Sequence, residues 1–524
     1  MKKSFVLFLT ILVLGALVVV VGKNTVLAEK DQVKITENIL YGDKSVVEGV
    51  TLDLHNHYEE QVFWDTTYVI GEEPKIDTKY TFYQSKQDIH TYDMYGTLYF
   101  NDDRHSTGWD EENEWIPPEG LEKAAKELRD SLGPSEKGTK TVFLKDYLDY
   151  YSFQVDFTAP YKGNRFVDSV SISLSESFLK ENIYEAENIN GKNYNYSDEW
   201  YENALKQLEW IEAFHEFFKI PVLENEVYTL SMEKDANGNV IGYGMASANM
   251  GMGSGEGDIP ECNREEWDNF EFNTHSYVGD GDVYLTFNTH SYNQQVVDTS
   301  LIPGGYGIYY FPYDEEKEEI YPEKLQMVYP LDPNLDVFNL TRDVRGENLL
   351  LFTMEDAESY MYMIDIETMT LVEKFNLSET RDDAWGLDYC VLEEDYMVVV
   401  TYSDVIVFSI DEAGNYTKEF ETSREPLDAF YPEDNEFYSE YLEYDTVYDW
   451  NGKQLVFANN MYNINGYMGT NFYVGVMDAN GLQYFATYDT SLQSSPSFDE
   501  NGYEAYNYAH VQPVYDNPVV VKWK

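Results

Sequence analysis

The sequence predicts a mainly β chain whose second half is a tandem of small antiparallel sheets, and three observations carry that prediction. Between Asn348 and Phe420 two similar blocks of short apolar runs follow one another: residues 349–354, 360–366 and 371–377, then 389–392, 396–402, 405–410 and 416–420. All are of strand length and rich in β-branched and aromatic residues. The third run of a block ends in an acid, and Asp314, Asp365, Asp411 and Asp478 recur at intervals of 51, 46 and 67 residues. Asp-x-Asn-Gly, a turn sequence in which Gly supplies positive φ and the Asx side chains bond the turn backbone, begins at Asp235, Asp449, Asp478 and Asp499. The shorter intervals match the roughly 40 to 50 residues of a four-stranded propeller blade, and the longest fits a blade with an insertion. The expected architecture is an N-terminal membrane segment (1–28), an α+β domain with two helices (29–221) and a β-propeller-like domain of about five to six blades (222–524).

At the N-terminus Lys2 and Lys3 precede an apolar run, residues 5–21, interrupted by Thr10 and Gly15. Its length approaches the roughly 20 residues that span a bilayer, which favours an uncleaved anchor. Val26-Leu27-Ala28 offers the alternative, a signal peptide cut before Glu29. The lysines keep the leading end cytoplasmic, so the acidic body is expected outside. Residues 24–45 read as a polar tether that turns strand-like near Ile39.

In residues 50–58, Val50, Leu52 and Leu54 alternate with Thr51, Asp53, His55 and His57, and residues 61–70 supply the other half of a hairpin. Pro117-Pro118 leads into Leu121, Ala124, Ala125, Leu128 and Leu132 at helical spacing, closed by Gly133-Pro134. Strand patterns follow over 142–157 and 166–174. A second helix is expected from about Asp198 to Phe218, capped by Ser197, with Pro221 beyond it. From Val227 on, nearly every segment is strand-like, beginning with a hairpin that turns at Asp235 to Gly238. Residues 242–258, rich in Gly, Ser and Met, read as a flexible loop. The apolar run 518–523 is expected to complete a sheet begun at the other end of the chain.

Composition narrows the function classes. The 96 Asp and Glu outnumber the 35 Lys and Arg, a net charge of -61, which excludes nucleic acid and anionic membrane as contact surfaces. The 47 Tyr and 28 Phe suit half-buried strands first and ligand platforms second. Two cysteines, Cys262 and Cys390, are too few for a disulfide scaffold and leave a single bridge open.

Candidate sites are few. His55, His57 and Glu59 leave one strand face at two-residue spacing, the pattern of neighbouring metal ligands and equally of a solvated polar face. The hexapeptide Phe-Asn-Thr-His-Ser-Tyr occurs at 272–277 and again at 287–292, and places His275 and His290 equivalently on two strands either side of one turn. They are the candidate ligand-binding residues. His215-Glu216 begins an H-E-x-x-H zinc motif, but Lys219 stands where the second His is required. Acidic turns at 279–282 and 235–239 invite calcium, yet Ala246 occupies the place of the bidentate EF-hand Glu. No cofactor is predicted, with Ca or Zn left as the metals these sites would take. No nucleophile elbow, P-loop or dinucleotide fingerprint occurs.

The leader, the opening ILYGDKSVVEGVTLDLHNHYEEQVFWDTTY (39–68) and the segment DTSLIPGGYGIYYFPYD (298–314) resemble a family of exported, membrane-anchored bacterial proteins with a β-propeller-like C-terminal half. The resemblance covers most of the chain and implies no activity, catalytic residue or ligand. The blades depart from WD40 and kelch repeats, lacking the Trp-Asp and paired-glycine patterns. The reading is an extracytoplasmic, membrane-tethered, non-catalytic protein that binds a peptide, protein or glycan. The alternatives are an exported hydrolase or lyase acting on polysaccharide or peptide, and an envelope-sensing regulator acting through a membrane partner.

Overall fold

The computed structural model describes residues 15, 17, 33–58, 62–82, 96–101, 108–109, 115–116, 120–160, 170–175, 179, 198–248, 251–255, 267–314, 316–355, 358–378, 387–430, 442, 446–462, 468–492, 512–513 and 519–523. The leader apart from Gly15 and Leu17, the cleavage position before Glu29, the Ser197 cap, Glu59 and Cys262 lie outside the described residues. Among the described residues no helix is long and apolar enough to cross a membrane. The chain is mainly β and divides into two compact units, residues 1–89 with 387–524 and residues 90–386.

The first unit opens with β1 (Ile35–Gly42), β2 (Thr51–Tyr58), β3 (Val62–Val69) and β4 (Lys75–Phe82). On β2 the side chains alternate as expected, with Leu52, Leu54 and Asn56 buried and His55 and His57 half-exposed on the opposite face.

The second unit holds β5 (Thr97–Asn101), a ribbon of β6 (Gly108–Trp109) and β7 (Trp115–Ile116), and α1 (Glu122–Ser131). Then follow β8 (Lys137–Phe143), β9 (Gln154–Pro160), β10 (Val170–Ser175) and α2 (Asp198–Phe217). Next come β11 (Val227–Lys234), β12 (Val240–Ala246), β13 (Gly251–Gly255), β14 (Thr274–Gly279), β15 (Asp282–Phe287) and β16 (Gly307–Asp314). It ends with β17 (Glu319–Ile320), β18 (Gln326–Pro330), β19 (Asp336–Arg342), β20 (Asn348–Glu355), β21 (Glu358–Asp365) and β22 (Thr370–Ser378). Its sheets run β10-β9-β5, β13-β12-β11-β8, β14-β15-β16 with β17 and β18 on β16, and β19-β20-β21-β22.

Three readings change here. The strand expected over 142–157 is split by a 3-10 turn at Leu144–Asp146, where the chain passes from one sheet to another. The glycine-rich stretch read as a loop contains β13, which pairs with β12 so that Gly242 faces Gly255 and Gly244 faces Gly253. A ladder needs only backbone groups, and glycine on both strands lets them pair with little side chain to place. Finally, β8 and β11 share one sheet although they lie on either side of Pro221, where the domain boundary is expected.

Both helices pack as their apolar faces dictate. α1 buries Ala124, Ala125 and Leu128 against β8 and β11, and Lys234 Nζ donates to the Arg129 and Leu132 carbonyls at 2.6 and 2.9 Å, capping its C-terminal end. α2 buries Ala204, Ile211 and Phe214. Phe214 and Phe218 join Phe100, Phe153, Phe272, Phe287 and Phe311 in a mostly edge-to-face or tilted aromatic core.

The first unit resumes with β23 (Leu387–Leu392), β24 (Tyr396–Thr401), β25 (Asp404–Ile410), β26 (Tyr416–Ser423) and β27 (Val447–Trp450). It closes with β28 (Leu455–Tyr462), β29 (Met468–Asp478), β30 (Gly481–Thr490), β31 (Gln512–Pro513) and β32 (Val519–Lys522). Its sheets are β23-β24-β25-β26, β27-β28-β29-β30-β1, and β2-β3-β4 with β31 and β32 both on β2. The two chain ends are thus exchanged: β1 pairs with β30, and β32 pairs with β2 so that Val521 faces Leu52. Seven sheets of three to five strands result among the described residues, and five of them draw most of their strands from residues 222–524, where about five to six blades were expected.

The recurring acids close the third strand of four successive sheets, and each holds the turn that follows. Asp365 Oδ1 accepts from Thr368 N–H and hydroxyl at 2.7 and 2.6 Å, and Asp478 Oδ1 from Asn480 N–H at 2.8 Å. Asp411 Oδ1 accepts from the N–H groups of Ala413 and Asn415 at 2.9 Å, and Asp314 Oδ1 from Lys317 N–H at 3.1 Å. These hydrogen bonds to the charged form hold the Asp365 and Asp314 carboxyls below the usual range, with the Lys317 ammonium the largest influence on Asp314.

Candidate functional site

The first hexapeptide begins just before β14 and runs along it. The second starts at the last residue of β15 and leaves the sheet, so the two copies are not equivalent strands. Asn288 is the cause: its Oδ1 accepts from Val337 N–H at 2.6 Å and its Nδ2 donates to the Val337 carbonyl at 2.8 Å, drawing the chain onto β19. Thr289 adds a hydroxyl bond to the Pro333 carbonyl at 2.5 Å.

Both histidines nevertheless meet one short segment. His290 Nδ1 lies 2.8 Å from Asp336 Oδ1, and His275 bonds the backbone of Val337, the next residue. Burial pushes the His275 imidazole down to about 4, with the Val337 bond working weakly the other way, so the ring is neutral. In the first copy Thr274 and Ser276 turn to the neighbouring sheet: Thr274 Oγ1 accepts from Phe100 N–H at 3.2 Å, and Ser276 Oγ both accepts from Leu98 N–H and donates to its carbonyl at 3.1 Å.

The second copy also reaches a buried acidic network absent from the sequence reading. Ser291 donates to Asp268 Oδ2 at 2.7 Å and Asn293 N–H to Asp268 Oδ1 at 2.9 Å. Asp268 forms an isolated bridge with Glu226, and both acids are fully buried. Tyr151 donates to Glu226 Oε2 at 2.5 Å, and the Tyr228 hydroxyl lies between Glu226 Oε1 (3.3 Å) and Asn269 Oδ1 (3.2 Å). The signal available in the sequence was an acid, Glu226, at the threshold of an apolar strand. Its partners lie far along the chain.

On β2 and β3 the polar residues pair straight across the hairpin. Thr67 donates to Asp53 at 2.6 Å, His55 Nδ1 lies 3.0 Å from Asp65 Oδ1, and the His57 ring lies 6.0 Å from that of Phe63. His215 on α2 sets Nε2 2.8 Å from the Phe153 carbonyl, and Glu216 pairs with Lys219 at 2.8 Å. In the β14–β15 turn, with Asp280 and Gly281 both at positive φ, Asp280 meets Arg342 at 3.4 Å and Asp282 accepts from Tyr310 at 2.9 Å. Asp235 spends both oxygens on Asn237 and Asn239. Among the described residues no three His, Cys, Asp or Glu side chains come together as a metal requires. Cys390 lies half-buried on β23, and desolvation pushes its thiol up to about 12.

No protein-family model matches the chain, and no curated protein sequence matches it. Among solved structures, a putative 6-phosphogluconolactonase from Bacteroides fragilis is similar at 9% identity, covering 84% of this chain and 95% of that one with a TM-score of 0.28. Another from Bacteroides uniformis gives 10% identity, 75% and 95% coverage and a TM-score of 0.26. The Cps50 (Swd1) β-propeller domain of Myceliophteria thermophila gives 8% identity, 52% and 71% coverage and a TM-score of 0.25. Likenesses of this size carry no argument about activity.

Proposed function

We propose that this chain is a non-catalytic binding protein whose tandem sheets are the blades of a β-propeller, tethered outside the cell by its N-terminal segment, with a peptide, protein or glycan of the cell surface as its ligand. The observation that carries the binding reading is the commitment of the candidate histidines. His55 pairs with Asp65, His57 packs on Phe63, His290 pairs with Asp336 and His275 bonds Val337. Groups engaged in this way serve as struts between strands. The antiparallel sheets in chain order and the exchanged end strands support the propeller reading. The address rests on the sequence of the leader alone.

The test applies the purified full chain to a panel of cell-wall glycans and extended peptides, scoring both retention and turnover. Retention without turnover is expected. Turnover of any panel member that His290→Ala or His275→Ala abolishes would overturn the reading in favour of a hydrolase or lyase. Cell fractionation with an antibody to the chain tests the address, and finding the full-length chain in the cytosol would refute it.

A further inference from the structure

One exposed element of the second unit is held more firmly than chain reversal requires. Beyond β15 the chain doubles back as a short hairpin: Val297 N–H donates to the Thr289 carbonyl at 2.9 Å, His290 bridges Val296, and Ser291 N–H donates to the Gln295 carbonyl at 2.8 Å. Gln294 N–H closes the turn on the Ser291 carbonyl at 2.9 Å. A three-residue tip of this kind, here Tyr292, Asn293 and Gln294, needs a left-handed residue in third place, commonly glycine. That residue is Gln294, at φ 63. The tip is pinned by the fully buried Asp268, whose oxygens accept from Ser291 Oγ at 2.7 Å and from Asn293 N–H at 2.9 Å. Tyr292 N–H adds a bond to the Asn269 carbonyl at 2.8 Å, and Asn293 Nδ2 one to the Trp267 carbonyl.

What this hairpin presents is uncharged and unused. Residues 292–296, Tyr-Asn-Gln-Gln-Val, are all exposed, Tyr292 at 50%, and none is ionised in a chain of net charge -61. Among the described residues no hydrogen bond or ring contact engages the Tyr292 side chain or the Gln294 and Gln295 amides. A turn that served only to reverse the chain would be relieved by glycine at 294. Backbone strain kept for the sake of an exposed side chain, and held in place by a buried carboxylate, marks a functional surface. The chemistry selects the ligand. A phenol ring offers an apolar face, and primary amides both donate and accept, which matches in turn the C–H face and the hydroxyl groups of a sugar. Tyr and Asn on an already ordered tip also lose little freedom on contact. An ionic ligand would find no counter-charge on these five residues, and a hairpin this short offers no edge for an added peptide strand.

We propose that this tip is a contact site for neutral glycan, with Tyr292 stacked on a sugar ring and Gln294 and Gln295 bonding its hydroxyls, a site that presupposes the binding role above and narrows its ligand. The purified full chain is titrated with neutral oligosaccharides of glucose, mannose and N-acetylglucosamine, with polygalacturonate and extended peptides alongside. Binding of a neutral oligosaccharide is expected. Tyr292→Ala should weaken it roughly tenfold or more, as loss of a central aromatic contact does. Gln294→Gly should weaken it roughly threefold, the share of one hydrogen bond, at an unchanged or higher Tm because the backbone strain is relieved. Neutral glycan binding that both variants leave unchanged overturns the site while the binding role stands, and so does retention of polygalacturonate or peptides alone. Retention of nothing on the panel overturns both.

Discussion

Acid should unfold the second unit in part through His275, and the size of that contribution follows from where the ring sits. In the unfolded chain the imidazole takes a proton near its ordinary value of 6.5, whereas in the folded unit burial delays protonation to about 4. The folded value is depressed, so the unfolded state binds the proton first. The full stability is present above 6.5, is lost progressively as the pH falls, and levels off below 4. At about 1.4 kcal/mol per pH unit the whole window is worth about 3 kcal/mol. The many carboxylates titrate over the same range, so the measurement is a difference between two proteins. His275→Asn retains a side-chain amide able to reach the Val337 carbonyl but carries no titrating group. Urea unfolding of the parent and this variant between pH 4 and 7.5 should give curves that converge or cross on acidification, the variant gaining on the parent by about 3 kcal/mol. Parallel curves would refute the assignment of a neutral, buried His275.

The remaining predictions concern packing and turns. A Cβ placed on Gly475 would sit 2.0 Å from Phe457 Cζ, so Gly475→Ala should destabilise the first unit by roughly 1 to 3 kcal/mol, read as a lowered Tm. Val521→Asp puts an unpaired charge on the buried face of β32 and should cost about 3 kcal/mol or more, with limited proteolysis showing release of the C-terminal strand. Tyr151→Phe removes the 2.5 Å donor to the buried Glu226 and should cost about 1.5 to 3 kcal/mol in urea unfolding. Asp365→Ala should speed amide exchange at Thr368 and Met369 while leaving the rest of the β19–β22 sheet unchanged.

What the sequence disclosed was local chemistry. The acids at Asp314, Asp365, Asp411 and Asp478 were legible as ends of third strands because each bonds backbone only two to four residues on. The helices were legible because their apolar spacing and flanking Pro and Gly act within one turn. Partner choice over long separations was not legible. Nothing near Pro221 signals that β8 and β11 lie side by side, and nothing within the second hexapeptide signals that Asn288 will leave its strand for Val337. The candidate site suffered for the same reason: His275 and His290 were found as a repeat, but the Asp336–Val337 segment that receives both lies 46 residues beyond His290. Glu226 and Asp268 escaped notice because a buried acid looks like any other among 96 until its tyrosine and serine partners are in place.

The exchange of β1 and β32 makes the two sheets they join a mutual latch. During synthesis the β2-β3-β4 sheet stays unfinished until β32 arrives, while β1 must wait for β30 before it has a partner strand. Without β32 the Thr51–Leu54 stretch of β2 would be left as a raw edge, inviting proteolysis or misassociation. Each of these two sheets is thereby closed by a strand from far along the sequence, and neither can close on contiguous chain alone.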